Sequence, residues 1–211
     1  MNATIIVPTI HARPDLLDRC VQECARTMRE DDNLLVLEGG TFAENCNGGA
    51  GLAQTDILIF LNDDCKPDQD DWIDRLLDPF RWDHVGIVGA RLIYPDGKLQ
   101  HTGVYLENDA SGIVARNRTW DCVSGPVDAV TGACLAIRTS LFREVGGFDE
   151  AFRNGYEDID LCLRARQAGH TIWYQAECTV IHHESQSGPR RWQWVNENIA
   201  ELQARYTLTA D

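Results

Sequence analysis

The sequence predicts an α/β domain built on a mostly parallel sheet flanked by helices. Three observations carry that expectation. The first 61 residues alternate apolar strand-like runs with helical segments, the signature of a parallel sheet with crossover connections. The length of 211 residues, 44% of them hydrophobic, is enough for one domain with a substantial core. Polar and acidic residues follow several of the apolar runs, and ligands of open α/β sheets bind beyond the carboxyl ends of their strands.

The elements read in order as follows. TIIVP, 4–8, is a short buried strand that Pro8 ends, and PDLLDRCVQECARTMRE is a helix with Pro14 in its first turn. LLVLEGG, 34–40, is a second strand ending in glycines. NGGAGLAQ, 47–54, is a small-residue helix or turn, and DILIFL, 56–61, is a third strand. Thr9, Glu38, Asp63 and Asp64 then share the strand-end side. DQDDWIDRLLDPF reads as a helix that Asp68 or Asp70 could cap, HVGIVGARLIY as a strand, and PDGK, 95–98, as a turn. Residues 107–126 are polar and read as a loop. VDAVTGACLAIR is a strand, TSLFREVG a short helix and GGFDEAFRNGY a glycine-bearing loop. EDIDLCLRARQAG is a helix that Gly169 stops, HTIWYQ and CTVIHH are two strands, and the tail from 189 is an aromatic-rich helix.

The formal net charge is −14. Such a surface repels phosphate backbones and anionic lipids, which disfavours bulk nucleic acid as a partner. An acidic chain that handles a phosphorylated small molecule needs a cation in its site, and a divalent metal is the obvious one. No apolar run approaches the ~20 residues of a membrane span, and the first residues lack the pattern of a secretory signal. The expected location is the cytoplasm. The eight cysteines form no CxxC pair and read as buried free thiols.

Six aspartates fall between positions 63 and 74. The later four read as turn, cap and helix-start residues. An EF-hand is excluded, because the stretch lacks the central glycine and the terminal glutamate. For Asp63 and Asp64 a second reading competes with the cap: adjacent carboxylates at a strand end can hold Mg²⁺ or Mn²⁺ against a diphosphate.

An ordered series of motifs settles between these readings. TIIVPT…RPDLL, LLVLEGG, NGGAGLA, FLNDD, VTGACLAIRTSLFREVGGFDE with YEDIDLCLR, and VIHHESQS together resemble the family 2 glycosyltransferases over residues 3 to 188. That resemblance implies the GT-A fold, a Rossmann-like mixed and mostly parallel sheet in a single domain. It implies a nucleotide-binding half of about 1–95, an acceptor-side half of about 96–188, and a C-terminal helix, 189–211, packed on them. It also implies an inverting transfer of a sugar from a nucleoside diphosphate, UDP- or dTDP-type, to a hydroxyl acceptor, with Mn²⁺ or Mg²⁺.

The roles it implies fall on named positions. Asp64 ligates the metal, with His182 as second ligand and His183 as fallback. Asp63 contacts the ribose or a metal-bound water, and Glu38 the nucleobase. Pro8, Thr9, Asn47, Gly132 and Ala133 line the donor and sugar site, and Arg13 reaches the diphosphate or is a solvated helix-start residue. Asp158 is the base ahead of Glu157, although a helix start holds a carboxylate ionised and lowers its basicity. Asp160 and Arg164 pair along the helix. Trp192 and Trp194, with Arg190 and Arg191, form either an acceptor wall or part of a packed terminal helix.

The sequence departs from the family pattern in four places. Glu38 stands where the family usually has aspartate, and Asn62 opens the acidic motif, so its first position is no carboxylate. The loop 10–13 is one residue longer than usual, and only Thr41 and Phe42 precede the asparagine turn. A nucleotidyltransferase of similar sheet would need a basic phosphate loop, whereas HARPD offers one arginine. A sugar-nucleotide-binding module without catalysis is the other alternative.

Overall fold

The computed structural model describes residues 1–110, 112–183 and 193–206. The strands are β1 (Ala3–Pro8), β2 (Asn33–Leu37), β3 (Ile57–Leu61), β4 (Cys65–Pro67), β5 (Val85–Ile93), β6 (Leu99–His101), β7 (Val104–Asp109), β8 (Gly112–Asn117), β9 (Gly125–Val127), β10 (Cys134–Arg138) and β11 (Thr171–His182). The helices are α1 (Pro14–Thr27), α2 (Phe42–Leu52), α3 (Trp72–Leu77), α4 (Thr139–Glu144), α5 (Glu157–Gln167) and α6 (Val195–Arg205).

The main sheet runs β2-β1-β3-β10-β5-β11-β4, with β6 added beside β5 and β9 beside β11. β2, β1, β3, β5 and β11 point the same way, whereas β10 and β4 run against them. One edge of the sheet therefore collects the ends of the parallel strands and the beginnings of β10 and β4. Thr9, Glu38, Asn62, Gly132, Cys65 and His182 meet there by topology alone.

Side chains alternate between two apolar layers, as a strand buried on both faces requires. Ile6, Leu58, Phe60, Leu135 and Ile137 face α2, α4 and α5. Ile5, Val7, Ile57, Ile59, Leu61 and Ala136 face α1 and α3. The small residues of α2 have a packing reason: a Cβ on Gly49 would come within 2.8 Å of Ile6 Cγ2.

Several boundaries differ from the sequence reading. α2 begins at Phe42, five residues before the expected NGGAG start, because Thr41 and Glu44 form a reciprocal capping box. α3 is capped by neither Asp68 nor Asp70; Asp71 stands at its N-cap without a side-chain cap bond. The acids around it are held by arginines instead: Asp70 by Arg26 at 2.8 Å, Asp71 by Arg75 at 2.7 Å and Asp74 by Arg29 at 2.9 Å.

The expected loop 107–126 contains the hairpin β7–β8. Its polar residues point outward while Ile113 is buried, and Gln203 of α6 donates to the Ile113 carbonyl. The last two expected strands are one strand, β11, with an irregularity between Gln175 and Thr179. All eight cysteines are free, and seven of them are buried. Ser187, Arg190, Arg191 and Trp192 lie outside the described residues. No helix among the described residues is long and apolar enough to cross a membrane.

Candidate active site

β3 ends at Leu61, and the chain turns at Asn62, whose N–H donates to the Ala133 carbonyl at 3.0 Å. The turn sends Asp63 and Asp64 to different partners. Asp63 Oδ2 accepts from Thr9 Oγ1 at 2.5 Å. Burial raises the Asp63 pKa above the ordinary aspartate range, the Thr9 bond opposes that, and the neighbouring Asp64 charge adds to it.

Asp64 is 7% exposed and faces His182, also 7% exposed. Its Oδ1 lies 3.2 Å from His182 Nε2 and has no hydrogen-bond partner. On the other side of the ring, His182 Nδ1 lies 2.7 Å from Gln100 Oε1, and Gln100 Nε2 donates to the His182 carbonyl at 3.3 Å. With its amide nitrogen so engaged, Gln100 presents an acceptor to Nδ1, so that Nδ1 donates and Nε2 is the ring atom turned to Asp64. A carboxylate oxygen without a hydrogen-bond partner and an imidazole nitrogen thus face each other across 3.2 Å in a buried place, a pair of atoms able to hold a cation once Nε2 carries no proton.

Cys65 is the cross-strand partner of His182, and its Sγ lies within 4.8 Å of the Asp64 and His182 ligand atoms. Burial, with Asp64 beside it, pushes the Cys65 thiol well up, and its Sγ donates to the Ala133 carbonyl at 3.3 Å. A carboxylate and an imidazole are a donor set suited to Mn²⁺, and less ideally to Mg²⁺. His183 makes a different contact with the same residue: its backbone N–H donates to the Asp64 carbonyl at 3.1 Å.

Beside β2, the long loop after β1 folds back. His11 takes a positive φ of 53°, its N–H donates to Thr9 Oγ1 at 2.9 Å, and its ring pairs with Glu38. The extra loop residue thereby places an imidazole on the acid expected to meet the nucleobase. Pro8 ends β1 opposite Leu37. Arg13 makes two bonds to Asp15, at 2.9 and 2.8 Å, the solvated helix-start arrangement. Asn47 is a clamp between segments: Nδ2 donates to the Phe148 carbonyl at 2.9 Å and Oδ1 accepts from the Phe148 N–H at 2.9 Å.

Asp158 stands in the first turn of α5. Its Oδ2 accepts from the Gly132 N–H at 2.8 Å and its Oδ1 from the Ile159 N–H at 2.8 Å. Burial nevertheless outweighs those donors and raises its pKa, which reverses the sequence expectation that a helix start makes it a weaker base. Gly132 is closely approached: a Cβ there would crowd Phe42 Cζ at 3.0 Å and touch Asp158 Cβ at 3.5 Å. Ala133 is buried beside it. Glu157 is buried and accepts from the Gly155 N–H at 2.6 Å, turned toward the preceding loop.

A cleft of about 260 Å³ has Asp158 and His182 in its lining, with Gln100, His101, Thr131 and Tyr156. His101 is held neutral, because burial lowers its pKa to about 4; its Nδ1 pairs with Asn117 Oδ1 at 2.5 Å and its Nε2 accepts from the Thr131 N–H at 3.3 Å. Gln100 and His101 were missed by sequence reasoning. Nothing near PDGK marks them, and only the pairing of β6 with β5 brings them to the strand-end edge.

A sheet of this topology, with acids after its third strand and a histidine at the end of its last long one, is that of the nucleotide-sugar glycosyltransferases of GT-A fold. Two solved structures share it. GalNAc-T7 with UDP, GalNAc and Mn²⁺ superposes with a TM-score of 0.69 at 16% identity, over 86% of this chain and 44% of that one. The mannosyltransferase PcManGT from Pyrobaculum calidifontis, in complex with GDP-Man and Mn²⁺, gives 0.68 at 14% identity, over 99% of this chain and 65% of that one.

A sequence model described as glycosyltransferase like family 2 matches residues 18–204, and the chain belongs to that family. The O-antigen biosynthesis protein RfbC of Myxococcus xanthus is 33% identical over 154 residues, which are 67% of this chain but only 12% of that protein. The chain is a glycosyltransferase by family, which leaves nucleotidyl transfer and binding without catalysis unsupported.

Proposed function

We propose that this glycosyltransferase moves a sugar from a nucleoside diphosphate to an acceptor hydroxyl by a single inverting displacement, with Mn²⁺ or Mg²⁺ held by Asp64 and His182. The observation that carries the reading is the approach of Asp64 Oδ1 to His182 Nε2, with Gln100 on the far side of the ring. The Mn²⁺ in both structural relatives supports it. When bound, the cation supplies positive charge to the departing diphosphate.

The chain's own residues do the rest. Asp63, oriented by Thr9, accepts from a ribose hydroxyl, and Glu38 with His11 borders the nucleobase. The structural relatives carry uridine and guanosine nucleotides, so the base preference of this site is open to a screen. Asp158 takes the proton from the attacking hydroxyl. Its raised pKa makes it a stronger base than an ordinary aspartate, and the Gly132 and Ile159 amides fix its orientation. Gly132 and Ala133 border the sugar through backbone rather than side chain, Gly132 with its N–H on Asp158. The residues before about 95 serve the nucleotide and those after it the acceptor, apart from Gln100 and His182, which reach back to the metal.

The test is a screen of nucleotide sugars for Mn²⁺-dependent hydrolysis and transfer. One donor should turn over, EDTA should stop it, and Asp64→Ala should lower the rate at least ~100-fold while the thermal unfolding curve stays cooperative. Full activity in EDTA, or in the Asp64→Ala chain, would remove the metal role.

A further inference from the structure

We infer that Asn198, on the C-terminal helix α6, is a positioning residue for transfer: it locks the left-handed turn 154–156 that presents Asp158 to the acceptor. The inference rests on the reading of Asp158 as base.

The turn is unusual in its backbone. Asn154, Gly155 and Tyr156 all have positive φ, at 51°, 150° and 74°. Asn154 and Gly155 are types that tolerate that region, but Tyr156 is not, and such a conformation persists only where outside contacts over-determine it. Tyr156 is also the N-cap of α5 and makes no side-chain cap bond. The turn therefore sets where α5 begins, and Asp158 follows two residues later.

Asn198 provides the outside contacts. It is 3% exposed. Its Nδ2 donates to the Arg153 carbonyl at 2.9 Å and to the Gly155 carbonyl at 2.8 Å, and its Oδ1 accepts from the Arg153 N–H at 3.2 Å. Both amide hydrogens and the carbonyl oxygen are thus spent on one turn more than 40 residues away. Glu157 adds a bond from inside the turn, to the Gly155 N–H.

α6 is anchored independently of these bonds. Arg205 pairs with Asp149 at 2.5 Å, and Tyr206 Oη donates to the buried Asp160 of α5 at 2.7 Å. The Arg153 guanidinium lies 4.6 Å from the centre of the Trp194 ring. The helix is therefore fixed to the body of the domain on one side and holds the turn on the other. The cleft that contains Asp158 is walled by Asn154, Gly155 and Tyr156 from the turn and by Val195 from the helix. Loss of the Asn198 bonds releases the wall and the start of α5 together.

The experiment uses the full chain with the nucleotide sugar found by the screen, and compares Asn198→Ala, Asp158→Asn and the double variant. Asn198→Ala should lose amide-exchange protection at 153–156 and lower kcat about tenfold, with donor KM within about twofold, as a misplaced catalytic group does. In the Asp158→Asn background the same change should cost nothing further, because the group it positions is gone. Should Asn198→Ala not fold, Asn198→Asp takes its place; it keeps the acceptor for Arg153 and loses both donors.

Wild-type kcat with protection lost overturns the inference and leaves Asp158 as base untouched. An equal loss in the Asp158→Asn background also overturns it, since Asn198 would then act elsewhere. Full activity of Asp158→Asn itself overturns the base reading, and this inference with it.

Discussion

Gln100 Oε1 accepts a hydrogen bond from His182 Nδ1 across 2.7 Å, and that bond decides which nitrogen of the ring is left to face Asp64. An imidazole free to flip or change tautomer would turn an N–H to the carboxylate, the stronger acceptor. Gln100 is itself 4% exposed and tied to the His182 carbonyl, so ring and strand are oriented by one side chain.

Replacing Gln100 with leucine keeps the volume and removes both bonds. Affinity for Mn²⁺, read by titration of its paramagnetic resonance signal, should fall about 10- to 100-fold, the usual effect of losing the hydrogen-bond partner of a ligating histidine. Unchanged Mn²⁺ binding would mean that His182 is not a ligand.

Gly132→Ala tests the acceptor side. The added methyl crowds Phe42 Cζ at 3.0 Å and touches Asp158 Cβ at 3.5 Å, beside the Gly132 N–H that donates to the Asp158 carboxylate. We expect about 1–3 kcal/mol of destabilisation from overpacking, together with a drop in kcat of at least ~10-fold as the carboxylate moves. Denaturant unfolding and steady-state rates measure the two effects. A destabilised chain with wild-type kcat would show that Gly132 serves packing alone.

The pH profile of kcat should have an acid limb above the ordinary aspartate value of about 3.9, because burial raises the Asp158 pKa. The sign follows from the role: the base works ionised, so the rate rises as pH passes upward through the raised value. The same shift makes the ionised carboxylate a cost to folding above that pH. An acid limb at or below the ordinary value would assign the titration to another group.

Asp32 predicts a stability effect of opposite sign. Its buried carboxylate accepts from the Arg29 guanidinium at 2.8 Å through each oxygen, and from the Ala3 and Arg29 amides at 2.8 and 3.0 Å. Burial alone would raise its pKa, but these bonds overcome it and leave the value lowered. Asp32→Ala should cost about 3 kcal/mol near neutral pH. The difference from wild type is fully present above the unfolded value of about 3.9 and should shrink as pH falls through the lower folded value. A pH-independent difference would point to lost packing instead.

Local pattern made much of the molecule legible. TIIVP and DILIFL are strands because unbroken apolar runs of that length are stable only when buried on both faces, and NDD follows the second because a strand end returns the chain to solvent. The order of such motifs led to the GT-A fold and the family before any contact was known. Pattern failed where an element depends on a distant partner. The hairpin β7–β8 reads as polar loop, since one buried Ile113 is too little for a periodic signal. The start of α2 is different: Thr41 and Glu44 are three residues apart, and their capping box is a local pattern that the small-residue run at 47–54 masked.

What the sequence by itself determined is therefore the class of sheet, its order of motifs and the acids at its edge, all of which rest on burial and local backbone preference. Tertiary structure alone decided the partners at that edge: Gln100 behind His182, His11 on Glu38, Asn198 under the turn before Asp158. It also decided the direction of the Asp158 shift. The α-helix start argues for a depressed pKa, and only the packed surroundings show that desolvation is the larger effect. Hydrogen-bond partners and desolvation are properties of groups brought together across tens of residues, and no local pattern encodes them.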